Sequence, residues 1–265
     1  MFNKFFQLKT YFNYWLDAVD EHSLHSPFLF DLYTKVIKVE SEGVVEIEKL
    51  RASLLKTQSE ITVEDLGAGS KHFSNSKKKR AIQNIADTNL SDLRFSLLYL
   101  RLAQHIDAKN IVELGTSLGI NTLYLAQKKN AKVFTFEGSK SIAEVAQDTF
   151  EFASAKNIEL IIGNIDSTLY SNLSRMPKAD LVFMDANHQY VPTLKYFEWL
   201  LMKTHHKSII ILDDIHSSPG MEKAWQEICD HDLVYTSIDL YRCGVLFFDP
   251  SLTKQHVVLQ FKILK

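Results

Sequence analysis

Residues 113–119 read ELGTSLG, between a short apolar run, NIVEL at 110–114, and the helically spaced segment INTLYLAQKK at 120–129. A turn that leaves a strand and enters a helix directly presents backbone N–H groups to a nucleotide-like ligand. A rival stretch, DLGAGS at 65–70, follows strand-like ITVE but leads into KHFSNSKKKR, a polar, charged and poor helix start. After ELGTSLG, Ile120, Leu123 and Ala126 or Gln127 fall at helical spacing at once. The next apolar run, KVFTF, ends in Glu137, about 22 positions beyond Gly115, where a carboxylate would grip a ribose's two hydroxyls. The stretch at 113–119 is therefore the cofactor loop.

What this loop lacks narrows the ligand. A dinucleotide fingerprint, G-x-G-x-x-G, uses its middle glycine to let backbone approach a pyrophosphate. Here the three matching positions are Gly115, Ser117 and Ile120. Glu113, at the tip of the strand, would repel a pyrophosphate but suits a ligand carrying a sulfonium and an ammonium. S-adenosylmethionine (SAM) has both charges and no phosphate, which favours methyl transfer over hydride transfer.

Outward from the loop, short apolar runs alternate with helical patterns: NIVEL, KVFTF, IELII, ADLVFM and SIIIL are separated by INTLYLAQKK, SIAEVAQDTFEFA, STLYSNLSRM and VPTLKYFEWLLMK. Alternation of this kind predicts right-handed crossovers and an α/β fold with a parallel sheet covered on both faces. After a helix around MEKAWQEICD, LVYTSIDLY and GVLFFD are joined by a short Arg-Cys connection, too tight for a crossover, and read as an antiparallel hairpin. Residues 1–105 lack this rhythm and read as a mainly helical extension or cap, with helical patterns at 5–20, 28–38, 45–57, 78–86 and 91–105. Residues 106–265 form the SAM-binding domain in this reading.

With these features the sequence resembles the class I SAM-dependent methyltransferases, whose Rossmann-like sheet has five parallel strands followed by a C-terminal antiparallel hairpin. ELGTSLG corresponds to their first motif, which implies cofactor contacts from Glu113, Gly115, Thr116, Ser117 and Gly119. FEG at 136–138 corresponds to the acidic end of strand two and implies contacts from Glu137 and Gly138. GNID at 163–166 looks like the adenine-contacting turn after strand three, which implicates Asn164, Ile165 and Asp166. The resemblance covers roughly 108–250; the whole chain is similar to a bacterial branch carrying HSPF and GAGS segments ahead of the first motif.

Two further segments narrow the chemistry. ADLVFMDANHQY ends the fourth parallel strand with Asp185 and carries His188 and Tyr190 just beyond. SIIILDDIHSSPG ends the fifth with Asp213 and Asp214, followed by His216. In open α/β sheets ligands sit outside the carboxyl ends of the strands. Like charges brought together there need a proton or a cation, and Mg²⁺ or another hard divalent ion accepts such oxygens. The arrangement resembles the catechol and caffeoyl-CoA type O-methyltransferases. The resemblance implies metal ligation by Asp185 and Asp213, with Asp214 where that family usually has an asparagine. It also sets Asp185 among the cofactor-binding and catalytic residues, and puts His188 near a position often held by a catalytic lysine. A histidine base could instead take a hydroxyl proton without metal help. Asp213-Asp214 could alternatively cap the following helix, His216 reads as structural, and His205-His206 is assigned to solvent.

Composition bounds the rest. A formal net charge of -2 over 265 residues gives no electrostatic reason to expect nucleic acid as the main partner, although the run Lys77–Arg80 keeps an RNA substrate open. With Cys229 and Cys243 as its cysteines and no secretory leader recognised, the chain is expected in a reducing cytoplasm without a disulfide framework. No window approaches a membrane span. The aromatic-rich N-terminus reads as an amphipathic helix packing on its own protein, with a membrane-surface or homodimer-forming role as the alternative. The expected activity is transfer of a methyl group from SAM to a hydroxyl of a small-molecule acceptor, assisted by a divalent metal. Metal-independent transfer through His188 and a SAM-binding regulator without turnover are the alternatives.

Overall fold

A computed structural model describes residues 2–64 and 77–261. The DLGAGS stretch, with Lys71 and His72 behind it, lies outside the described residues. In chain order the elements are α1 (Phe2–Asp17), α2 (Pro27–Leu32), α3 (Val45–Leu54), β1 (Glu60–Glu64), β2 (Lys77–Ala81), α4 (Ile82–Asn89) and α5 (Leu93–His105). There follow β3 (Asn110–Leu114), α6 (Ile120–Ala126), β4 (Lys132–Glu137), α7 (Lys140–Phe152), β5 (Ile158–Ile162) and α8 (Ile165–Leu173). The last are β6 (Leu181–Met184), α9 (Tyr190–Leu201), β7 (Ile209–Asp213), α10 (Pro219–Asp230), β8 (Thr236–Asp239), β9 (Cys243–Phe247) and β10 (Gln255–Val258). They group into two compact units, residues 40–179 and residues 1–39 with 180–265.

In the unit 40–179, β3, β4 and β5 pair in parallel, with Glu113 opposite Thr135 and Phe136 opposite Ile161. Helices α6 and α7 carry Leu123, Tyr124, Ala146 and Phe150 into a core shared with Ile85 of α4 and Leu97 of α5. Fully burying such a side chain contributes about 1.5–3 kcal/mol. One expectation fails here: the stretch 78–86 is a strand before it is a helix. Residues 77–81, KKKRA, pair antiparallel with β1, and the helix starts at Ile82. Lysine-rich sequence carries no apolar alternation, so only its partner β1 identifies it as a strand.

In the other unit β6 and β7 run parallel, with Val182 opposite Ile210. Strand β9 lies antiparallel to β7 and forms the expected hairpin with β8. The residues of β7, IIILD, are all buried, as a strand covered on both faces requires. Gly244 of β9 has no side chain because the Trp225 ring of α10 lies directly over it. A strand the apolar pattern did not announce, β10, joins β8 in parallel. Helix α1 rests on this edge, and its buried Tyr14 donates from its hydroxyl to the Leu259 carbonyl at 2.7 Å. Ser26 accepts from the Leu29 N–H at the start of α2, with Pro27 in the first helical turn. No described helix is long and apolar enough to cross a membrane.

Candidate functional site

The loop after β3 is shaped by backbone that other residues resist. Gly115, Ser117 and Gly119 have φ of 98°, 50° and 84°, all in the left-handed region. Gly119 meets a second demand. A Cβ there would lie 2.6 Å from Cε1 of Phe150, so α7 approaches too closely for any side chain. The N–H groups of Gly115 and Thr116 donate to the Phe136 carbonyl, which clips the loop onto the end of β4.

Two carboxylates sit at this loop in different states. Glu113 is fully buried, and its oxygens accept from Nδ2 of Asn121 at 3.0 Å and from the hydroxyls of Thr122 and Thr135. Three side-chain donors within the chain therefore converge on this carboxylate. Glu137 accepts from the backbone N–H of Ser117 at 3.0 Å and of Ser139 at 2.9 Å. Burial raises its pKa, and the N–H donors of Ser139, Ser117 and Gly138 oppose that rise. Each bound oxygen retains a lone pair for a ribose hydroxyl. Thr116 is buried and shares a hydrogen bond with Thr135, a supporting contact.

Ser117 Oγ and Asn121 Oδ1 are buried and have no hydrogen-bond partner among the described residues. Buried polar atoms are ordinarily paired, so these two mark where a polar ligand would complete the loop, and the residues present fit a SAM-like group. Asn121 escaped the sequence reading. Its signal is its place in the first turn of α6, two positions after Gly119.

The turn after β5 has a defined geometry of its own. Gly163 has φ of 133°, and its N–H donates to the Glu137 carbonyl at 2.8 Å. Asn164 spends its side-chain oxygen on the Asp166 N–H, capping α8. Ile165 is buried, while Asp166 is exposed at the first turn.

The unit 1–39 with 180–265 carries the second cluster, at the ends of β6 and β7. Asn187, His188 and Asp214 all have positive φ, at 67°, 34° and 56°. Non-glycine residues held this way store strain of order 1–3 kcal/mol each and concentrate at functional sites. His188 Nε2 lies 3.2 Å from Asp185 Oδ1, and its Nδ1 lies 3.9 Å from Asp214 Oδ2. Burial alone would lower the imidazole pKa. The hydrogen bond and charge of Asp185, helped by Asp214 and Asp213, outweigh it and hold the pKa at about 9.

Asp213 is fully buried and is met by the fork of Arg242, with Nη2 3.0 Å from Oδ2 and Nε 3.3 Å from Oδ1. Burial raises the Asp213 pKa and the charge of Asp185 adds to it, while Arg242 opposes both. Arg242 Nε also stands 4.0 Å from Asp214 Oδ1. The divalent ion expected at Asp185, Asp213 and Asp214 does not fit these residues. Arg242 takes up the Asp213 carboxylate, His188 takes up Asp185, and among the described residues no three His, Cys, Asp or Glu side chains are grouped to hold a metal. Positive charge reaches these acids from Arg242 and, when protonated, from His188. Arg242 was missed because it acts across strands: Asp213 pairs in register with Cys243, its neighbour.

The remaining candidates resolve locally. Asp214 does not cap the next helix; Ser218 does, accepting from the Met221 N–H. His216 binds Asp239 through Nε2 at 2.7 Å and stacks on Tyr241. His205, assigned to solvent from sequence, instead pairs with Asp180 at 3.0 Å.

A mostly parallel sheet with a C-terminal antiparallel pair, and a glycine-bearing loop after its first parallel strand facing an acid at the end of the next, define a class I, Rossmann-like methyltransferase fold. Residues 112–215 match the family model described as a methyltransferase domain. A catechol O-methyltransferase of Niastella koreensis is 30% identical over 43% of this chain and 52% of its own length. One of Mycobacterium tuberculosis is 30% identical over 45% of this chain and 54% of its own. The chain thus spans about half the length of the curated relatives it matches. In fold it is similar to an SAH-bound methyltransferase from Podospora anserina, with a TM-score of 0.61 at 14% identity over 85% of this chain and 97% of the other.

Proposed function

We propose that this chain transfers a methyl group from SAM to a hydroxyl oxygen of a small molecule, with His188 receiving the hydroxyl proton. The observation that carries the reading is the loop after β3, where Glu137 is pinned by backbone N–H groups while Ser117 Oγ and Asn121 Oδ1 stand buried and unpartnered. SAM, when bound, supplies an electrophilic methyl on a sulfonium. Glu137 would accept from the ribose hydroxyls, Asp166 would face the adenine, and Glu113 would favour the ligand's positive charge through its field. The transfer itself is a displacement: the O–CH₃ bond forms as the S–CH₃ bond breaks, and the acceptor's proton goes to neutral imidazole. A phenol near pKa 10 is well matched to a base near pKa 9. Asp185 orients the ring and stabilises the imidazolium formed.

The metal assistance expected from the sequence is set aside in this reading, because Arg242 meets Asp213 and His188 meets Asp185. The relatives' names suggest catechol as a first acceptor to try. A cysteine count of two, Cys229 and Cys243, supports placement in a reducing cytoplasm. We assign the transfer to residues 106–265, with 1–105 as a helical extension.

The test is transfer of labelled methyl from SAM to catechol-type acceptors in EDTA, with His188→Gln alongside. The reading expects transfer to survive chelation and to fall by roughly 10²–10⁴-fold in the variant. Loss of transfer in EDTA, with full activity in His188→Gln, would overturn it. SAM binding without transfer to any hydroxyl acceptor would favour a regulator.

A further inference from the structure

Helix α1 presents two unlike faces. Thr10 and Tyr14 are buried against their own unit. On the opposite side Phe5, Leu8, Phe12, Trp15 and Leu16 stand open, from 57% exposed at Phe12 to 74% at Phe5. At 100° per residue these five side chains span an arc of about 100°. Phe5, Leu8, Phe12 and Trp15 follow the alternating three- and four-residue spacing of a helix–helix seam. The rings of Phe12 and Trp15 are already stacked, with centroids 6.2 Å apart and planes at 28°. Together the stripe exposes about 600 Å², at the upper end of the largest apolar patch on an ordinary monomer.

We propose that a second copy of this chain packs on this stripe, α1 against α1 about a two-fold axis. In such a pair the stripe meets itself, so one sequence supplies both complementary surfaces. The two stripes together remove about 1,200 Å² from water, the lower bound of a specific interface. Charge disfavours a lipid surface as the occupant: α1 carries Lys4, Lys9 and Asp17, whereas helices that lie on anionic membranes are rich in lysine and arginine.

Pairing reaches further than α1. Gln7 donates from Nε2 to the Ser217 carbonyl at 3.4 Å, and the Tyr241 hydroxyl donates to the Gln7 carbonyl at 3.0 Å. Tyr11 also packs edge-on against Tyr241, with centroids 5.0 Å apart. Holding α1 therefore holds the turn after β7 and the turn between β8 and β9, next to Arg242.

Sedimentation velocity on the full chain across about 1–100 μM, with an anionic-vesicle co-sedimentation arm, tests the proposal. The wild type is expected as a dimer. Leu8→Glu with Phe12→Glu should weaken self-association at least 100-fold while thermal melting stays cooperative. Phe152→Glu, at a 76% exposed position in the other unit, should leave it unchanged. Should the double variant misfold, Trp15→Ser alone should still weaken the dimer about tenfold. A wild type monomeric at 100 μM, a dimer indifferent to these changes, or loss of vesicle binding in place of self-association would overturn it.

Discussion

In the proposed transfer the His188–Asp185 pair sets the pH range in which the acceptor's proton can be taken up. With its pKa near 9, the imidazole is about 99% protonated at pH 7, and only about 1% is the neutral form that could act as a base. The rate of methyl transfer should therefore rise close to tenfold per pH unit below 9 and level off above it, a gain of roughly 50-fold between pH 7 and 9. Burial opposes this raised pKa, and Asp185 is its main support, through the hydrogen bond at 3.2 Å and the charge behind it. Asp185→Asn removes the charge and keeps the shape, so the inflection should move down by at least a unit. Imidazole nitrogen shifts in ¹⁵N-histidine protein, assigned with His188→Gln, read this titration without any acceptor. The same pair bears on stability. Because the folded pKa lies above the ordinary 6.5, its stabilisation is complete below about pH 6.5 and is lost as pH rises through 9. An inflection near 6.5 in the wild type, unmoved by Asp185→Asn, would refute the argument.

Other substitutions probe the remaining parts. Gly119→Ala places a Cβ at φ +84° and 2.6 Å from Phe150, so urea denaturation should show a loss of about 2–4 kcal/mol and SAM affinity should fall with it. A change below about 0.5 kcal/mol would contradict the close approach. Arg242→Met leaves Asp213 buried without its counter-charge, which should cost about 3–5 kcal/mol at pH 8. The loss should shrink toward pH 5, where Asp213, its pKa already raised by burial, takes up a proton, and added Mg²⁺ should not restore stability. Thermal melts at both pH values decide this. Thr135→Val removes one of the donors to buried Glu113 and should destabilise by about 1–3 kcal/mol, while an exposed control on α8, Ser171→Val, should not.

The parallel strands were legible because each is a nearly continuous apolar run flanked by helical spacing, as at NIVEL, KVFTF and SIIIL. The loop at 113–119 was legible for the same local reason: strand, glycines and helix are contiguous in the chain. What escaped depends on pairing between distant residues. The lysine-rich β2 is a strand only because β1 lies beside it, and β10 only because β8 does. The donors on Glu113 had no local signature either, since the register β3–β4 sets Thr135 against it and α6 brings Asn121 and Thr122 down onto it. Arg242 reaches Asp213 through the β7–β9 register, so this counter-charge had no local signature.

The central claim, a SAM-type ligand held by the loop after β3 and the acid ending β4, is tested most directly by calorimetry with SAM and NAD against the wild type, Glu137→Gln and Ser117→Val. Saturable binding of SAM and not of NAD, weakened about tenfold or more by each substitution, is the expected result. Uptake of NAD with indifference to SAM, or SAM binding untouched by either change, would contradict it.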